Sequence, residues 1–178
     1  LIEKGELTSG STWHAAGQCP QMMGSYNLAK IHLESNNLYK KLEKETEQPT
    51  GFHACGSLRI AYKKEDLDWF KYVKGILDNI GAPSEIISTN EIKKIHPFIK
   101  LDGILGAVHT PDDGHTDPTS TTNAMAKGAR NYGAKIYRKN RVTNIKLLPS
   151  GEWKLITEKG DIICEHVVNA AGSYGPEV

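Results

Sequence analysis

The stretch Ser9-Gly10-Ser11-Thr12-Trp13-His14-Ala15-Ala16-Gly17, closely following Leu1-Ile2-Glu3-Lys4, constrains this chain more than any other. Two apolar residues that end on a carboxylate read as the last part of a buried strand. The small-residue loop after them brings backbone close to whatever it faces, and its N–H groups suit phosphate or ring oxygens of a flat, polar ligand. One aromatic residue and one nucleophilic side chain, His14, sit inside that loop. Read without its surroundings, such a segment is a surface loop with a structural histidine. Further along the chain lie His115, in Asp113-Gly114-His115-Thr116-Asp117-Pro118, and a closing Val168-Asn169-Ala170-Ala171-Gly172.

Taken together these segments resemble the dimethylglycine and sarcosine dehydrogenase family of amine-oxidising flavoproteins. Gly51-Phe52-His53 and Gly56-Ser57-Leu58-Arg59 extend the likeness in collinear order over essentially the whole chain. The resemblance implies FAD as cofactor, carried covalently by His14 on the flavin 8α carbon. It implies that Glu3 accepts hydrogen bonds from the adenosine ribose, an acid's usual task at the end of the second strand of a dinucleotide fold. Lys4 flanks the same end. Gly10, Ser11, Thr12, Trp13, Ala15, Ala16 and Gly17 face the pyrophosphate and flavin, and Val142 offers backbone to the adenine. Ala171, Gly172 and Tyr174 complete the cofactor set, although the family often has tryptophan at the last position. By the same likeness His115 lies near the flavin, orienting it or contacting a substrate carboxylate; read alone, it buttresses a turn. Asp117 reads as a helix cap in preference to an acid or base.

The activity implied is oxidation of the N-methyl group of dimethylglycine, sarcosine or a related amine, with hydride passing to the flavin. Electrons then go to an electron-transfer flavoprotein or to oxygen, and a tetrahydrofolate-binding part would belong to a later section of the protein. Two other readings stay open: a glycine or amine oxidase-type flavoenzyme, and a non-catalytic interaction fragment without FAD.

Composition bounds what remains. With 178 residues the chain can bury a core of its own. Its 22 basic and 21 acidic residues leave a net charge of +1, which argues against nucleic-acid or membrane-surface binding. No apolar run approaches the roughly 18 residues of a membrane span. Cys19, Cys55 and Cys164 are widely spaced, as reduced thiols of a bacterial cytoplasm or a mitochondrial matrix would be. The seven histidines show no H-x-x-x-H pairing, so no metal site is expected. The chain lacks an initial methionine and a G-x-G-x-x-G, although Glu3 stands where that motif would lie about 20 residues upstream. It therefore reads as a fragment.

The fold expected is α/β: an FAD-binding, Rossmann-like layer without its first strand and glycine turn, a β-meander, and an interleaved α+β substrate region. Residues 1–50 and 117–178 are assigned to the FAD-binding region and 51–116 to the inserted one. Helices are expected over 27–47, with Leu28, Ile31, Leu38 and Leu42 as the apolar stripe, over 65–80, 90–95 and from Pro118 to about 132. Strands are expected over 52–62, 86–87, 104–110 and 134–137. Three more, at 141–147, 152–158 and 161–164, are joined by tight turns and so run antiparallel.

Overall fold

The computed structural model describes residues 1–178, which separate into two compact units, Ala15–Met125 and Leu1–His14 with Ala126–Val178.

The larger unit is built on three antiparallel strands. β1 (Gln18–Cys19) is followed by α1 (Tyr26–Thr46), β2 (Ser57–Ala61), α2 (Lys64–Ile80), β3 (Glu85–Ile87), α3 (Thr89–Ile95), β4 (Gly106–Thr110) and β5 (Gly114–His115). The sheet order is β2-β4-β3, and β1 pairs separately with β5. As the central strand, β4 is covered on both faces, so Gly106, Ala107 and Val108 are buried in succession without alternation. Val108 points into a cluster with Ala61, Met22, Ala29 and the α2 stripe Phe70, Val73 and Leu77. Its neighbour Ala107 points the other way, to Ile87, Ile92 and Ile104, with Leu58 and Ile60 packed alongside.

The helices stop where their caps dictate. Gly81 adopts φ 77° after α2, and Ala82 N–H closes onto the Leu77 carbonyl at 2.9 Å. Asp66 accepts from the Tyr62 and Lys63 N–H groups, both at 3.0 Å, at the start of the same helix. Ser88 and Glu91 form a reciprocal capping box on α3. Asp117 precedes α4 (Pro118–Asn131) and accepts the Ser120 N–H at 2.6 Å, which is the cap read from the sequence.

The smaller unit contains the antiparallel meander β6 (Val142–Leu147), β7 (Trp153–Thr157) and β8 (Ile162–Cys164), in that order across the sheet. Its parallel component is one bridge between Ile2 and Tyr137. There Tyr137 N–H donates to Leu1 O at 2.9 Å and Glu3 N–H to Tyr137 O at 2.8 Å. Short 3-10 turns occupy Ser11–His14 and Gly172–Glu177.

Four local expectations change. Leu28, Ile31 and Leu38 of α1 are exposed, and the buried positions are Ala29, Asn36, Leu42 and Thr46. The face turned inward is chosen by fit: Ala29 lets the helix lie close to α2, and the Asn36 amide donates to Cys19 O at 2.9 Å. The strand expected over 52–62 shortens to Ser57–Ala61 because Gly56 takes a left-handed φ of 77° and breaks the extended run. The strand expected over 134–137 contracts to the Tyr137 bridge, and Leu1, expected in a buried strand, is exposed. Met22 and Ala29 share one core with α2. No helix is long and apolar enough to cross a membrane.

Candidate functional site

In the smaller unit the bridge to Tyr137 holds Glu3 at the mouth of the Gly5–Gly10 loop. Its main chain is tied on both sides, through Glu3 N–H to Tyr137 O and Asn140 N–H to Glu3 O at 3.0 Å. One carboxylate oxygen accepts the Gly5 N–H at 2.7 Å, while the other takes no bond and stays available to a hydroxyl donor. Lys4 brings its ammonium to 3.4 Å from the centre of the Tyr174 ring. Two residues 170 positions apart, both expected at the cofactor, thus meet in a cation–π contact.

Trp13 and His14 leave the loop side by side, ring centroids 3.8 Å apart and planes inclined by 35°. Both are exposed, as are Gly10, Ser11, Ala15 and Ala16, and Thr12 is half-buried. His14 is therefore not consumed by core packing. A Cβ added to Gly10 or to Gly172 would meet nothing within 4 Å, so the backbone faces open space at both positions. Val142 begins β6 opposite Thr157, next to a register shift before Asn144. Ala171 stands at the start of the turn that carries Tyr174. A free carboxylate oxygen, an unburied imidazole and open glycine backbone are what a ribose, a flavin edge and a pyrophosphate require. The residues present fit the expected cofactor.

An open cavity of about 580 Å³ adjoins the segment bonded to Glu3, lined by Glu6, Tyr137, Arg138, Lys139, Asn140 and Lys159 among others. It contains none of the expected cofactor residues. Arg138 and Lys139 both pair with Glu6, at 2.7 and 3.1 Å. The hydrogen bond from Lys139, helped by the two positive charges, holds the Glu6 carboxyl below the ordinary range.

In the larger unit Gly17 has φ 73°, and a Cβ there would fall on the Thr116 carbonyl oxygen. It acts here as a packing glycine, since its own carbonyl accepts the Thr116 N–H at 2.9 Å. His115 pairs with Gln18 across β1·β5 and with His53 across an antiparallel bridge. Asp113, two residues before His115, is 2% exposed. It accepts from Gln21 N–H at 2.7 Å, Ser57 Oγ at 2.6 Å and Thr110 Oγ1 at 2.5 Å. Its carboxylate is an anchor for the loop and has no free lone pairs turned to solvent. Burial, reinforced by the Asp113 charge, pushes the Cys19 thiol up, so it stays neutral and unreactive. No group of three or more metal-ligating side chains occurs.

His53 joins His115 here although the sequence analysis assigns it no site role. Its place in Gly51-Phe52-His53, one of the segments carrying the family likeness, was the available signal, but its meeting with His115 depends on a long-range bridge.

Comparison with known families matches residues 1–178 to the family described as FAD dependent oxidoreductase. The chain is 43% identical to mitochondrial dimethylglycine dehydrogenase of Rattus norvegicus over all of its length and 21% of that protein's. It is 31% identical to human mitochondrial sarcosine dehydrogenase, again over its full length and 20% of the relative. Among solved structures it superposes on L-proline dehydrogenase from P. horikoshii with a TM-score of 0.90 and 30% identity, covering 98% of this chain and 46% of that one. The chain thus spans about a fifth of the length of the curated relatives it matches.

Proposed function

The chain belongs to the family of FAD dependent oxidoreductases, and on that premise we propose that its parent protein oxidises the N-methyl group of dimethylglycine, sarcosine or a related small amine. The observation that carries this reading is the likeness to dimethylglycine dehydrogenase along the whole chain. FAD, when bound, would supply the two-electron oxidation of the N-methyl carbon, whose carbon would be released by hydrolysis as formaldehyde or passed to tetrahydrofolate.

The chain's own residues bind and orient. Glu3 offers its free carboxylate oxygen to the ribose hydroxyls. Lys4 and Tyr174 flank the cofactor as a preformed pair. Gly10, Ser11, Thr12, Trp13, Ala15 and Ala16 supply the close-approaching loop, Gly17 ends it by packing against Thr116, and Val142, Ala171 and Gly172 add backbone. His14 is the point of covalent attachment: its exposed imidazole would bond the 8α carbon as that methyl group gives up a C–H proton and the imidazole its N–H proton, leaving the ring two electrons reduced until the enzyme's electron acceptor reoxidises it. Such a bond prevents loss of the cofactor. His115 serves the substrate side. Electrons leave to a carrier protein in a dehydrogenase or to oxygen in an oxidase, and a eukaryotic parent would work in the mitochondrial matrix, a reading supported by the mitochondrial relatives.

Acid precipitation of the full-length protein, followed by a fluorescence scan of the pellet, tests the attachment. Flavin fluorescence stays with the wild-type pellet and leaves the His14→Ala pellet. Flavin that remains bound in the variant refutes His14 as the site.

A further inference from the structure

We propose that His53 and His115 form a two-imidazole clamp for the carboxylate of the substrate, which would make the protein selective for amino acids over simple amines. The proposal rests on the amine-oxidation reading above.

The geometry begins in the backbone. His53 N–H donates to His115 O at 2.8 Å and His115 N–H donates to His53 O at 3.1 Å. This reciprocal exchange defines a hydrogen-bonded antiparallel pair, in which two side chains stand on the same face of the ladder. The close approach requires Gly114, because a Cβ there would fall on the His53 carbonyl oxygen. The pair is also anchored from outside. Gly56 N–H reaches Asp113 O at 2.8 Å, Thr116 N–H reaches Gly17 O at 2.9 Å, and Asp117 N–H reaches Thr50 O at 3.0 Å.

The side chains themselves are free. Their ring centroids lie 5.7 Å apart with planes inclined by 51°, so the rings are splayed and not stacked. Both residues are exposed, and neither ring has a hydrogen-bond partner. A neutral imidazole offers one N–H donor. Two donors on rings at this separation can each reach one oxygen of a carboxylate placed between them, at the roughly 2.7–2.9 Å of a charge-assisted bond. The acids nearest in sequence do not compete. Asp113 is occupied by Gln21, Ser57 and Thr110, and Asp117 is committed to Ser120. A divalent cation fits less well, because no third ligand joins the pair.

The test uses the flavin-loaded full-length protein with His53→Ala, His53→Gln and His115→Ala. Dimethylglycine is compared with trimethylamine, the same amine without its carboxylate. Removing one charge-assisted donor should raise KM for dimethylglycine about tenfold to a hundredfold with a much smaller change in kcat. The ratio of kcat/KM for dimethylglycine over trimethylamine should fall at least about tenfold. His53→Gln, which keeps a donor, should recover part of the loss. Calorimetric titration with acetate should likewise show weaker binding to both alanine variants. An unchanged KM, an equal loss on both amines, or undiminished acetate binding would each overturn the clamp. If the wild type oxidises no N-methyl amine, the functional reading fails instead, and the acetate titration still decides whether the clamp binds carboxylates.

Discussion

Replacing Asp113 by alanine should loosen the loop that carries His115 without touching that residue. Three donors converge on this carboxylate: Gln21 N–H on Oδ1, and the Ser57 and Thr110 hydroxyls on Oδ2. The two hydroxyl oxygens are also 2.8 Å apart. Each hydroxyl has one proton, so while both donate to Asp113 their mutual contact carries no hydrogen bond. In Asp113→Ala one of them can turn to the other and recover a single bond. Two donors then remain unmet, one of them the backbone N–H of Gln21, a residue 1% exposed. Bonds to a charged acceptor are worth about 1.5–3 kcal/mol each, which puts the net loss near the low end of their sum, about 3 kcal/mol, once water enters the vacated space. At about 1.4 kcal/mol per decade, local opening becomes about a hundredfold more frequent. Amide hydrogen exchange of the full-length protein measures this at Gln21 and His115, with α2 amides as an internal control. Acceleration of less than about tenfold at Gln21 would show that the carboxylate is not the anchor described.

Other perturbations test the same frame. Hydrogen bonds from the Ser120 side chain and backbone hold the Asp117 carboxyl below its ordinary 3.8. A depressed folded-state pKa means that the cap's contribution is present above the unfolded value and is lost as pH falls through the lower folded one. Exchange of the Ser120 amide should therefore speed up only below about pH 4, and Asp117→Asn should abolish that dependence while keeping a cap. A Gly17→Ala substitution forces a side chain into a left-handed backbone against the Thr116 carbonyl. It should cost at least about 2 kcal/mol, read as lost protection of the Thr116 amide; a neutral result would mean that β1 and β5 pair more loosely than shown.

Much of the local structure was legible because it follows from short-range chemistry. Phe70, Val73, Leu77 and Ile80 recur at helical spacing, and Gly81 stops them. Asp117-Pro118 opens a helix for reasons contained in two residues. Pro149-Ser150-Gly151 and Lys159-Gly160 leave too little chain for anything but antiparallel strands on either side. The α1 stripe misled because Leu28, Ile31 and Leu38 look like a buried face, whereas Ala29 and Asn36 fit the space offered.

The residues themselves determined most element types, the caps and a loop bearing one imidazole beside an acid-ended run, since each depends on covalent neighbours and side-chain chemistry alone. Only the folded chain decided which residues meet. Lys4 lies on Tyr174, Asp113 gathers donors from three segments, and His53 faces His115 across a bridge. Those meetings arise from strand register and from glycines that let backbones touch, and both are settled by how distant parts of the chain pack.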